Sequence, residues 1–240
     1  FGDYRQAEIV KRRKKLLDPS VELVLGEVDR VAPTENKVYV TSHAPLAYDV
    51  LIVATGSRIL PEQTTGLTGP GWKETAFDFY TLEGALALRD ALDRFEGGRF
   101  LVNVVEMPIK CPVAPLELLF LAEAYFTKRG IRDRVELAYA TPLEGAFTKP
   151  RASAAFGDML GRRGISVLGD FAASEVDGTR RVLKAFDGRE TSYDLLVTIP
   201  IHGGAEAITK SGLGDAGGWL PVDKNTLQST AFPNVFGLGD

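Results

Sequence analysis

Few side chains in this sequence could do chemistry. Cys111 is the single cysteine, within Glu106-Met-Pro-Ile-Lys-Cys-Pro-Val-Ala-Pro-Leu-Glu117. Its surroundings support two readings. A lone cysteine is usually a small buried hydrophobe. This one, however, follows an apparent strand end and opens a helix, with Pro112 and Pro115 fixing the turn. Lys110 and a helix amino terminus would place positive charge beside the sulfur, as a nucleophile requires. Glu117 falls early in the same helix. It reads either as an acid/base group or as a carboxylate that the helix dipole favours anyway. No disulfide can form within a chain that has one cysteine. His43 and His202 lie far from Cys111 in sequence, so no Cys/His zinc site and no other metal site is expected.

Two further segments offer backbone rather than side chains. Tyr48-Asp-Val-Leu-Ile-Val-Ala-Thr-Gly-Ser57 is a hydrophobic strand ending in small residues, which lets a ligand approach the main chain at a sheet's carboxyl edge. An ordinary strand and turn is the alternative. Thr230-Ala-Phe-Pro-Asn-Val-Phe-Gly-Leu-Gly-Asp240 brackets a strand end with glycines and presents a carboxylate suited to a sugar hydroxyl. His202 is placed either near a redox site or in a structural hydrogen bond. His43 reads as a surface residue, and Met107 and Trp72 as packing.

The elements that would position these residues alternate. Residues 3–17 are expected to form a helix, with the Lys11-Arg-Arg-Lys-Lys15 run on its solvated side. Strands are expected over Val21–Val31, Lys37–Ser42 and Tyr48–Ala54. A Gly-, Pro- and Thr-rich loop follows, and the domain boundary is placed between Gly71 and Thr81. Then come a helix over Thr81–Phe95 capped by Thr81, a strand over Phe100–Val105, a helix over Pro115–Arg129, a strand over Arg134–Ala140 and a helix over Arg151–Arg163. Four short strands after Gly164 read as a small antiparallel section. The alternation makes this an α/β protein with a parallel sheet. Its 240 residues, 45% hydrophobic and 25% charged, suit a globular protein with a sizeable core. A net charge of −4 leaves no bulk basic field for nucleic acid. The longest uncharged run, Asn225 to Gly239, contains a proline and polar residues and does not read as a membrane span. The ends, Phe1 and a strand-and-turn at Asp240, read as those of a piece of a longer chain.

The Ala-Thr-Gly and Gly-Asp segments together resemble the flavoproteins of the pyridine nucleotide–disulfide oxidoreductase superfamily. That resemblance implies two Rossmann-like (FAD/NAD(P)-binding) domains, the first incomplete and discontinuous. Residues 1–78 and 219–240 would form the partial FAD domain, and 79–218 the inserted second domain. It implies FAD as cofactor, lined by Ala54, Thr55, Gly56, Gly239 and Asp240. Asp240 would hold the ribityl chain, and the Val28 backbone would meet the adenine. The superfamily's first Gly-x-Gly-x-x-Gly is absent and is expected upstream of Phe1.

The second domain separates subfamilies. NAD(P)H-using members need glycines after the first strand so that backbone can approach pyrophosphate. Here no glycine occurs from Arg99 to Arg129. The Lys-Cys-Pro-x-Ala-Pro-x-Glu pattern instead resembles the sulfide:quinone oxidoreductase and flavocytochrome c sulfide dehydrogenase group, as do Phe126–Glu136, Ile199-Pro-Ile-His-Gly-Gly204 and Lys210-Ser-Gly-Leu213. The resemblance implies that Cys111 attacks sulfide-derived sulfur beside the flavin, with Glu117 as acid/base. Electrons would pass from a reduced sulfur compound through FAD to a quinone or cytochrome. The chain departs from the group at Tyr80, where some members have a cysteine, and at Gly84 and Ala146, where some have histidines. The group's other redox-active cysteine falls beyond Asp240. Location is expected to be cytoplasmic or peripheral at a membrane, any membrane contact being made by a tail beyond this chain. The rival readings are an NAD(P)H-dependent flavin oxidoreductase and a non-catalytic descendant that binds a partner or senses redox state through Cys111.

Overall fold

The structure is a computed structural model that describes residues 1–240, the side chains of Arg13 and Lys15 excepted. It divides into two compact units. One comprises Gly2–Arg58 and Gly203–Asp240; the other comprises Ile59–His202 and Phe1.

In the first unit, α1 (Gln6–Ile9) precedes an antiparallel sheet of β1 (Val28–Ala32), β2 (Lys37–Val40) and β3 (Leu46–Ala47), and then β4 (Leu51–Val53). The chain leaves this unit through β5 (Ser57–Ile59). The second unit contains β6 (Ala76–Phe77), α2 (Leu82–Arg94), β7 (Gly98–Val104), α3 (Ala114–Lys128), β8 (Val135–Ala140), α4 (Pro150–Arg162) and β9 (Ile165–Leu168). It continues through β10 (Ala173–Asp177), β11 (Val182–Ala185), β12 (Glu190–Ser192) and β13 (Leu195–Ile199). The chain returns through β14 (His202–Gly204) to α5 (Glu206–Lys210) and β15 (Val235–Gly237).

The second unit is a Rossmann-like α/β layer. Its five strands run in the order β6-β13-β7-β8-β9, and every pairing is parallel. Side chains alternate across this sheet, as the strand period of two requires. On β7, Phe100, Val102 and Val104 pack with Leu88 and Leu92 of α2 and with Leu116, Leu119 and Phe126 of α3. Leu101 faces the other way, onto Val176, Leu183 and Ala185 of the antiparallel sheet β10-β11-β12. Buried Asn103 joins three neighbouring strands. Its amide donates to the Ala140 carbonyl of β8 (3.2 Å), and its oxygen accepts from Thr198 Oγ1 of β13 (3.0 Å). Thr81 caps α2 as expected, its Oγ1 accepting from the Gly84 N–H at 2.9 Å.

Several expectations need correction. Residues 3–17 form no continuous helix, only α1 and a 3-10 turn over Arg13–Leu16. Ile9, Val10 and Leu16 stay exposed, so no burial offsets nucleation, and consecutive cations repel within a helical turn. Val21–Glu27 is not strand; pairing begins at Val28 opposite Val40. The four closing strands are not one antiparallel section, because Ile165–Leu168 and Leu195–Ile199 are parallel members of the main sheet. The units also meet at other residues than the expected 78/79 and 218/219. Leu67 is buried in the second unit's core, and Ala76 pairs with Leu196, so residues 59–78 go with the inserted unit. Ser211 Oγ accepts from the Val31 N–H at 2.7 Å, so the segment after His202 goes with the other. Among the described residues, no helix is long and apolar enough to cross a membrane.

Candidate functional site

The sequence-derived candidates fall into two groups, one in each unit.

In the first unit, β4 and β15 are parallel neighbours, with Leu51 opposite Val235 and Val53 opposite Gly237. The Leu238 N–H donates to the Val53 carbonyl at 2.9 Å. The Ala-Thr-Gly and Gly-Leu-Gly-Asp segments, about 180 residues apart in sequence, therefore leave the sheet side by side at its carboxyl edge, where open α/β sheets bind ligands. Thr55, Gly56, Gly239 and Asp240 line one cleft with Gly204, Gly218 and Trp219. Gly56 and Gly239 have φ values of +72° and +84°, and a Cβ placed on either would meet no atom within 4 Å. Their backbone thus faces open space in a conformation that glycine adopts freely. Ala54 is exposed just past β4 and is not among the residues lining the cleft. Val28 also lies apart from it, half-buried at the start of β1. The contributions of Gly204, Gly218 and Trp219 were not anticipated. The Gly217-Gly218-Trp219 triplet was the signal available.

In the second unit, β7 and β13 lie at the centre of the sheet. The chain runs outward from β7 through β8 to β9 and then returns to the far side of β7 as β13. The carboxyl ends of β7 and β13 are thus a topological switch point, the usual crevice of such sheets. Three segments emerge there. Val105 to Val113 follows β7 and carries Cys111; Pro200 to His202 follows β13; Tyr80 follows β6. The Val105 N–H donates to the Ile199 carbonyl at 3.1 Å, tying the first two together.

Cys111 is exposed, and its φ is +53°. A side chain at that φ crowds the following carbonyl, at a cost of roughly 1–2 kcal/mol. The Cys111 carbonyl accepts from the Ala114 N–H at 2.9 Å, which starts α3. The Tyr80 hydroxyl donates to the Lys110 carbonyl at 2.7 Å and lies 3.4 Å from the Cys111 carbonyl. Lys110 Nζ stands 5.5 Å from the centre of the Tyr80 ring. Buried His202 meets that ring edge-on at 5.2 Å, and its Nδ1 bonds the Pro200 carbonyl at 3.0 Å. Glu117 is exposed in the first turn of α3, on the face opposite buried Leu116 and Leu119. His43 is exposed, its Nε2 bonded to the Leu25 carbonyl at 2.9 Å. Tyr80 thus grips the Cys111 turn from the end of β6.

No family model matches the chain. Among curated proteins, the mitochondrial sulfide:quinone oxidoreductase of Mus musculus is 29% identical over 96% of this chain and 53% of its own length. That of Schizosaccharomyces pombe is 30% identical over 98% of this chain and 54% of its own length. The chain therefore spans about half the length of the curated relatives it matches. Among solved structures, the sulfide:quinone oxidoreductase of Aquifex aeolicus superposes with a TM-score of 0.78 at 19% identity, covering 89% of this chain and 51% of the other. The ferredoxin reductase of Rhodopseudomonas palustris superposes with a TM-score of 0.69 at 20% identity, over 96% and 53% of the two chains. The NAD-dependent persulfide reductase of A. fulgidus gives 0.62 at 16%, over 89% and 38%. These structures establish a Rossmann-like fold, and in sequence the chain is similar to the sulfide:quinone oxidoreductases over about half of their length.

Proposed function

We propose that this chain is the part of an FAD-dependent sulfide:quinone oxidoreductase that carries the reactive cysteine and one edge of the flavin site. One observation carries the reading. At the switch point of the inserted sheet the turn has no glycine, and it holds an exposed cysteine at positive φ. Strained side chains of this kind persist where function needs them.

The cleft of the other unit fits a cofactor that approaches main chain closely, because Gly56 and Gly239 leave open the space a Cβ would take. The Thr55–Gly56 and Gly239 backbones would face it, and Asp240 would accept from its hydroxyl groups. Bound flavin supplies a two-electron acceptor, discharged to a quinone or a cytochrome. Val28 would meet the adenine end through its backbone, and Ala54 would flank the same strand end.

Cys111 does the sulfur chemistry of this reading. Its thiolate takes hydrosulfide-derived sulfur as a persulfide. Thiolate and HS⁻ together give the persulfide anion, one proton and two electrons. Glu117, exposed and six residues further on, takes up or returns the proton.

The test is anaerobic mixing of the full-length protein with sulfide or with NADH while flavin absorbance is followed. Sulfide should bleach the flavin, and NADH should not do so at a rate fit for turnover. Rapid bleaching by NADH that saturates at micromolar cofactor would replace this reading with that of an NADH-dependent reductase. A full-length protein without flavin would leave a non-catalytic thiol protein.

A further inference from the structure

We propose that Tyr80 is a positioning residue for Cys111, its phenol holding the turn in the strained conformation that presents the sulfur. This rests on the reading of Cys111 as the reactive thiol. The turn from Val105 to Val113 reverses the chain without a glycine, and Cys111 itself takes the left-handed conformation. That conformation is unfavourable for a residue with a Cβ, so something must hold it. The bonds within the turn do not suffice. The Cys111 carbonyl accepts from Ala114, on the helix side, while the peptide entering Cys111 has no partner from the helix. Tyr80 supplies that partner. Its hydroxyl donates to the Lys110 carbonyl, the oxygen of the peptide that precedes Cys111, at 2.7 Å, and it also lies 3.4 Å from the Cys111 carbonyl.

Tyr80 is itself anchored. It follows β6, its ring is packed edge-on against buried His202 and tilted against Phe79, and Lys110 Nζ sits over its face. Asp78 fixes the start of α2 two residues away, accepting from the Thr81 N–H at 2.8 Å. The phenol therefore reaches the turn from three neighbouring strand ends at once, those of β6, β13 and β7. A ring without a hydroxyl would keep the packing and lose the grip. The hydroxyl bonds main-chain carbonyls of the turn, so its role is in the conformation of Cys111.

The sole cysteine makes the test direct, because a chain labelled with ¹³C-cysteine gives one Cα and one Cβ resonance, whose shifts report backbone conformation. In this 240-residue chain, Tyr80→Phe should move both shifts away from left-handed values while thermal unfolding stays cooperative. Tyr80→Leu, which also lacks the hydroxyl, should do the same and serves if the first variant fails to fold. In the full-length protein, Tyr80→Phe should lower the limiting rate of flavin reduction by sulfide about tenfold, the worth of one hydrogen bond to the reactive conformation. The half-saturating sulfide concentration and the flavin content should not change. Unchanged Cys111 shifts in the variants would overturn the proposal, and so would moved shifts with an unchanged limiting rate. Failure of the underlying reading shows elsewhere: Cys111→Ser would then reduce its flavin with sulfide like the wild type, whatever Tyr80→Phe does.

Discussion

Strand-end turns in the two units of this chain solve the same geometric problem with opposite residues. After β4 and β15 the chain takes positive φ at Gly56 and Gly239, with open space where side chains would stand. After β7 it takes positive φ at Cys111, with a side chain kept. Glycine there removes atoms so that a ligand can reach the backbone. Cysteine here accepts strain so that a side chain can reach a ligand. The surroundings differ to match. The β7 turn stands on a sheet whose strands are buried on both faces, between a helical layer and an antiparallel sheet. The β4–β15 pair stands on a small core of Val31, Ile208 and Leu213, and Ile52 of β4 is 58% exposed. A strained side chain requires a rigid support, and an open backbone cleft requires much less.

The largest effect should be on that support. Phe126 of α3 is fully buried, in ring contact with Phe95 and Phe100. Phe126→Ala should cost about 3–5 kcal/mol in urea unfolding. Ile52→Ala on the exposed strand of the other unit should cost about 0.5 kcal/mol or less. Equal losses would mean that the two turns rest on comparable frames, and the contrast would disappear.

Next in size is the chemistry. Cys111→Ser in the full-length protein should keep fold and flavin but lose sulfide-dependent flavin reduction by on the order of a hundredfold or more, about 2.7 kcal/mol of barrier. A serine variant reduced at the wild-type rate would make Cys111 structural.

How much of this was legible beforehand follows from the range of the forces involved. The helices over 82–94, 114–128 and 150–162 and strands β7, β8, β9 and β13 were readable because periodicity and the Thr81 cap are local signals, whereas the two-residue β6 was not. The two strand-end motifs could be seen as glycines after apolar strands, which an ordinary turn also carries, whereas the pairing that sets them side by side joins segments about 180 residues apart. The helix expected over 3–17 failed because Ile9, Val10 and Leu16 gain no burial, which no local pattern reveals. The grouping of Ile165–Leu168 and Leu195–Ile199 in one parallel sheet depends on register with β8 and β7, which is nonlocal. Tyr80 could be aligned in sequence, but its grip on Lys110 could not be read there, since 30 residues separate the two. Trp219 and Gly218 entered the cleft unannounced for the same reason.

A smaller pair of substitutions tests the exchange itself. Cys111→Gly should stabilise the chain by about 0.5–1 kcal/mol, because strain is relieved at an exposed position. Gly56→Ala should destabilise by about 1 kcal/mol, although nothing crowds the new methyl, because its φ of +72° disfavours any Cβ. If Cys111→Gly also destabilises, the cysteine conformation is not strained by its surroundings, and the contrast between the turns loses its physical basis.

The smallest effect concerns the turn that supports the glycine side. The Asp223 carboxylate accepts from the N–H groups of Asn225 and Thr226, both at 2.9 Å, and from the Thr226 hydroxyl. These bonds hold its pKa below the ordinary 3.8. A carboxyl group lowered on folding adds stability that is complete above its unfolded value and is lost as pH falls through the lower folded one. The turn leads to Leu227, whose carbonyl accepts from the Gly237 N–H at 3.0 Å and so reaches the cleft strand. Asp187 of the inserted unit is lowered in a similar way, by the Arg189 backbone and side chain, but it sits in a hairpin between β11 and β12. Asp223→Asn should therefore lower the urea midpoint slightly at about pH 7, with the difference from wild type closing as pH falls below the ordinary carboxylate value. It should also speed amide exchange at Gly237, whereas Asp187→Asn should leave that amide unchanged. If both variants speed exchange at Gly237 equally, acid sensitivity at the cleft belongs to the whole chain and not to the turn that supports its glycines.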